Sequence, residues 1–93
     1  MNVDHLVALP DKLSGHVVSV KPLQGKFSFI IRSDASRFTS RSYVSDSGEL
    51  LPPATIVVPG NEVLFLPGSP RKNHKMPRAY SVEIIRKTDN PNL

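Results

Sequence analysis

Gln24-Gly25-Lys26-Phe27-Ser28-Phe29-Ile30-Ile31-Arg32-Ser33-Asp34-Ala35-Ser36-Arg37-Phe38-Thr39-Ser40-Arg41-Ser42-Tyr43-Val44 contains two strand-like runs that meet across a polar turn. Strand side chains alternate, so Phe27, Phe29 and Ile31 share one face of the first run and Lys26, Ser28, Ile30 and Arg32 the other. Both faces carry something apolar. In the second run, Phe38, Ser40 and Ser42 stand opposite Arg37, Thr39, Arg41 and Tyr43, one side aromatic and hydroxylic, the other basic. Rings interleaved with cations suit a single-stranded nucleic acid, because rings stack bases and cations neutralise phosphates.

The rest of the chain fits this pair of strands. His16-Val17-Val18-Ser19-Val20 is a β-branched run ending at Lys21-Pro22, and a short link containing Gly25 joins it to the second strand as a hairpin. Ser33 to Ser36 turns the chain into a third strand, Arg37 to Val44, completing an antiparallel meander. From Ser45 to Gly60 the prolines remove backbone donors, which predicts a long crossover loop. Asn61 to Leu66 and Ala79 to Arg86 read as strands four and five. Between them, Arg71 to Arg78 carries four permanent cations and no carboxylate, bounded by Pro70 and interrupted by Pro77. The expected organisation is an N-terminal extension at 1–13, a barrel domain at 14–87 and a loose tail at 88–93.

Ninety-three residues fill one core. Closing five short strands into a barrel removes the edges that a flat sheet of this size would expose. Twelve Lys and Arg against eight Asp and Glu give a net charge of +4, which favours an anionic partner. The absence of Cys excludes disulfides, thiolate zinc sites and thiol catalysis. His5, His16 and His74 lack metal-pair spacing, no Gly-x-Ser-x-Gly elbow or phosphate loop is present, and the carboxylates are unpaired. No enzyme, metal or cofactor is therefore expected. With no leader-like N-terminus and no run of about 18 apolar residues, the expected location is cytoplasmic and the expected partners include no membrane.

These segments resemble a cold-shock domain, a five-stranded OB-fold barrel that binds single-stranded RNA or DNA. Gly15-His16-Val17-Val18 is similar to the family's opening strand, and Gly25-Lys26-Phe27-Ser28-Phe29-Ile30 to its first ribonucleoprotein motif, Lys-Gly-Phe-Gly-Phe-Ile. Arg37-Phe38-Thr39-Ser40-Arg41-Ser42 stands at the second motif, Val-Phe-Val-His-Phe-Ser. Gly60-Asn61-Glu62-Val63-Leu64-Phe65 and Ala79-Tyr80-Ser81-Val82 resemble the later strands, and Pro70-Arg71-Lys72-Asn73 the basic loop before the last one. Ser19 replaces an exposed Trp, Ser40 a His, Arg41 a Phe and Ser28 a Gly. The resemblance thus implies a five-stranded antiparallel OB barrel with a long loop between strands three and four.

Two arrangements of the first aromatic pair are open from alternation alone: both rings fill the core, or Ile30 fills it and Phe27 and Phe29 face solvent. The resemblance implies the second, with bases on Phe27, Phe29 and Phe38. Ser40 would lie beside those bases, with Lys21, Lys26, Arg37, Arg41, Arg71, Lys72, Lys75 and Arg78 as the candidates for phosphates. Stacking is worth about 1–3 kcal/mol per base, so the replaced rings imply a weaker interface that leans on charge. The alternative is a protein-interaction adaptor whose partner docks on the Ser45–Gly60 loop, where Leu50, Leu51, Pro52 and Pro53 need cover. No catalytic residues are expected under either reading.

Overall fold

The computed structural model describes residues 12–34 and 41–86. Arg37, Phe38, Ser40, most of the expected N-terminal extension and the C-terminal tail lie outside the described residues. Five strands, β1 (Leu13–Leu23), β2 (Lys26–Ser33), β3 (Ser42–Asp46), β4 (Glu62–Gly68) and β5 (Arg78–Arg86), close into a barrel in the order β1-β2-β3-β5-β4. β1 pairs along most of its length with β2, while its first residues also pair with β4. The turn between β1 and β2 is Gln24-Gly25, and Gly25 takes a φ of 75°, where a side chain would be strained.

One seam corrects the wholly antiparallel expectation. β3 and β5 pair in parallel, Val44 opposite Arg78. The reason is topological: a closed ring of an odd number of strands cannot alternate direction at every seam. With β1–β2, β2–β3, β1–β4 and β4–β5 all antiparallel, the remaining pair must run the same way. Ser45, fully buried, donates its hydroxyl to the Ala79 carbonyl at 2.7 Å across this seam.

The core consists of Val17, Phe29, Ile31, Tyr43, Val57, Val63, Phe65, Ala79 and Val82. Alternation supplies them in turn: Phe29 and Ile31 from β2, Tyr43 from β3, Val63 and Phe65 from β4. The Tyr43 and Phe65 rings meet at a centroid distance of 4.8 Å, tilted by 57°, within the range of favourable aromatic pairs. In β1 the register shifts between Val17 and Ser19, which leaves Val18 as an extra, exposed residue. Such a bulge bends its strand, and here it lies where β1 leaves β4 and continues beside β2 alone. Gly15 is required at the close approach of β1 to β2, since a Cβ there would stand 2.6 Å from the Arg32 carbonyl oxygen.

The crossover predicted from Ser45 to Gly60 begins later and is tied down. Ser45 and Asp46 belong to β3, and a 3-10 turn follows at Ser47–Glu49 with the Asp46 carboxylate accepting from the Gly48 amide at 2.9 Å. Leu51 donates its amide to the Val82 carbonyl at 2.8 Å, and Leu50 packs on the core. Val57 enters the core itself.

Phe29, 1% exposed, corrects the expectation of an outward ring. Ile30, expected to fill the interior, is half-buried on the opposite face. Phe27 is half-buried and packs against the core, its ring centroid 6.0 Å from that of Phe29. The physical reason is the phase of β2: Phe29 and Ile31 together fill more interior volume than Ile30 alone, and the same phase places Arg32 in solvent. Phe29→Ala is accordingly expected to destabilise the barrel by about 3–5 kcal/mol, as large-to-small core substitutions do. Urea unfolding checks this; a loss below about 1 kcal/mol would place the ring outside the core.

Candidate nucleic-acid interface

With the rings inside, the outer surface of β1, β2 and β3 is set by the alternate residues. Register arranges them in three rows: His16, Arg32 and Ser42; Ser19, Ile30 and Val44; Lys21, Ser28 and Asp46. The first row is basic, the second aliphatic, the third mixed. Arg32 directs Nη1 toward the Ser42 hydroxyl at 3.5 Å. Arg41, just before β3, is fixed against the end of β2 by two bonds: its amide donates to the Ser33 hydroxyl at 2.8 Å and its carbonyl accepts from the Ser33 amide at 2.8 Å.

Residues 69–77, which connect β4 to β5, fold over this end of the face. The Val44 amide donates to the Pro77 carbonyl at 2.9 Å, and a turn closes where the His74 amide donates to the Arg71 carbonyl at 2.9 Å. Asn73 provides the left-handed residue of that turn, at φ 68°. Between connection and strands lies a groove of about 630 Å³ lined by Arg32, Arg41, Ser42, Pro70, Lys75, Met76 and Pro77. Among the described residues its lining contains three cations, one hydroxyl and no carboxylate. This concentrates positive potential in a concavity, where it acts more strongly than on a convex surface.

The groove gathers some of the residues predicted to touch nucleic acid and leaves others apart. Arg41 and Lys75 line it. Arg71 and Lys72 are exposed on the same connection without lining it. Lys21 and Lys26 are exposed at the hairpin end; Arg32 stands six positions beyond Lys26, a span of roughly 20 Å along an extended strand. Arg78 is a correction. It is 7% exposed, and its Nη2 stands 3.2 Å from the Asp46 carboxylate beside the parallel seam, so it holds β3 to β5 and is not open to phosphate. Burial of an extended arginine is tolerable only with such a partner.

Arg32, Ser42 and Met76 are groove residues that the sequence reading did not select. The signal for Arg32 was present: once Phe29 and Ile31 are assigned inward, alternation puts Arg32 outside. The aliphatic residues of the crossover are largely accounted for, Leu50 and Val57 by the barrel itself, while Ile56 is 67% exposed and Val58 is exposed beside it. Among the described residues, no group of three or more His, Asp or Glu side chains is arranged to hold a metal, and no helix is long and apolar enough to cross a membrane.

No family model matches the chain. No curated protein and no solved structure matches it either.

Two substitutions separate scaffold from interface. Arg78→Gln leaves Asp46 without its charged partner and is expected to lower stability by about 1.5–3 kcal/mol, the range for hydrogen bonds to charged groups, while leaving the groove's cations in place. Lys75→Gln is expected to leave the unfolding midpoint unchanged and to weaken oligonucleotide binding. Paired unfolding and titration experiments check both; the reverse pattern would exchange the roles assigned to the two residues.

Proposed function

We propose that this chain is an OB-like, cold-shock-like barrel that binds single-stranded RNA or DNA through the basic groove formed by β2, β3 and the β4–β5 connection. The observation that carries the reading is the convergence of Arg32, Arg41 and Lys75 around one concavity with no carboxylate among the described residues of its lining. The closed five-stranded architecture supports the OB comparison, since barrels of that type bind oligonucleotides on the second and third strands and the neighbouring loops. The net charge of +4 adds a general attraction for polyanions.

The mechanism differs from an aromatic shelf. Phosphates meet Arg32, Arg41 and Lys75, with Arg71 and Lys72 further along the connection. Unpaired bases lie on Met76, on the aliphatic pair Ile30 and Val44, and on the plane of whichever of these guanidinium groups is turned edge-on to its phosphate. Arginine planes stack on bases much as aromatic rings do. A duplex keeps its bases stacked on each other and gains only the phosphate contacts, so single strands are preferred. The activity is sequestration without turnover.

Titration of a labelled single strand at several salt concentrations tests this. Three neutralised phosphates give a log–log salt slope of about −2, and Arg41→Gln or Lys75→Gln each flatten it by about 0.7. A flat titration would overturn the reading and leave the exposed Ile56 and Val58 on the crossover as the surface to pursue, with a protein as partner.

A further inference from the structure

We infer that the groove is an end-recognition site, taking the terminal phosphate monoester of a single strand. This rests on the strand-binding reading above and narrows its substrate class. Positive charge on the outer face is not a stripe. The first row of the face, with Arg32 and Ser42, meets Arg41 and Lys75 in the groove. The next row, Ser19, Ile30 and Val44, is uncharged. In the third row Lys21 shares the surface with Asp46, whose carboxylate is engaged by Arg78 at 3.2 Å. Across the strands the cations thus gather at the first row, and the row beside it offers a strand no positive charge.

A terminal monoester matches that distribution. At neutral pH it carries about −1.5 to −2 charges on three acceptor oxygens, whereas an internal diester carries one charge on two free oxygens. The groove offers a complementary set: the Arg41 guanidinium fork, able to hold phosphate oxygens in pairs, the Lys75 ammonium as a point charge, the positive charge of Arg32 beside them, and the Ser42 hydroxyl as a further donor. Its volume, about 630 Å³, lies within the range of about 300–1,000 Å³ for small-ligand sites, so it has room for the phosphate with its terminal nucleoside. Pro70, Pro77 and Met76 supply apolar walls for the sugar and base. The carboxylate following β2, Asp34, faces His16 at 3.5 Å and does not line the groove.

The phosphate could stand at either end of the strand, and the experiment separates the two. One thymidine strand of about ten nucleotides, within the usual span of an OB barrel, is labelled internally. It is prepared with a 5′ phosphate, with a 3′ phosphate, and with hydroxyls at both ends. Fluorescence anisotropy is expected to show one phosphorylated form binding about tenfold more tightly than the hydroxyl form, with a salt slope steeper by about 0.7 for the added charge. Lys75→Gln and Arg41→Gln are expected to shrink that preference toward unity, both being exposed positions whose replacement spares the core. Equal, saturable affinity for all three strands would overturn end recognition and leave strand binding standing. Absence of binding by every form would overturn both.

Discussion

The phase of the pleat in β2 governs the rest of the molecule. Phe29 and Ile31 point into the barrel, and because strand residues alternate, Ser28, Ile30 and Arg32 must point out. A shift of one residue would expose two rings and bury an arginine without a partner. Burial of a large apolar side chain is worth roughly 1.5–3 kcal/mol, so the choice between the two phases is not close. The same decision that fills the core therefore sets a guanidinium at the end of the outer face, one row from the aliphatic pair Ile30 and Val44.

Closure then converts this face into a groove. An odd number of strands forces one parallel seam, and the seam falls between β3 and β5, where pairing is limited to Val44 and Arg78. So short a ladder needs other ties. The buried Ser45 hydroxyl on the Ala79 carbonyl and the Arg78 guanidinium on Asp46 supply them. Because β5 must begin beside β3, the connection leading into it crosses the end of β3 and brings Lys75 and Met76 opposite Arg32 and Arg41. The residues that stabilise the seam and those that form the basic concavity are different, although Arg78 is near Lys75 in sequence and identical in charge.

Much of this architecture was legible in the residues. The β-branched run after Gly15, the Gly25 turn, the hydrophobic alternation of Val63 and Phe65 and the prolines around the basic connection indicate a five-stranded closed barrel, and two of the cations that the sequence singles out, Arg41 and Lys75, line one groove. Three features were not legible. The phase of β2 was ambiguous because Ile30 makes both of its faces apolar, and a familiar motif favoured the wrong one. Arg78 reads as one more cation in a basic loop, since a sequence does not show that Asp46, 32 positions away, lies across a seam from it. The parallel seam follows from strand count and closure together, yet local patterning treats each strand pair separately and passes over it.

Backbone amide shift mapping by NMR during addition of a phosphorylated single-stranded oligonucleotide tests the central claim most directly. The account predicts that the largest perturbations gather at Arg32, Arg41, Ser42, Lys75 and Met76. Changes confined to Ile56 and Val58, or spread evenly over the exposed lysines, would contradict it.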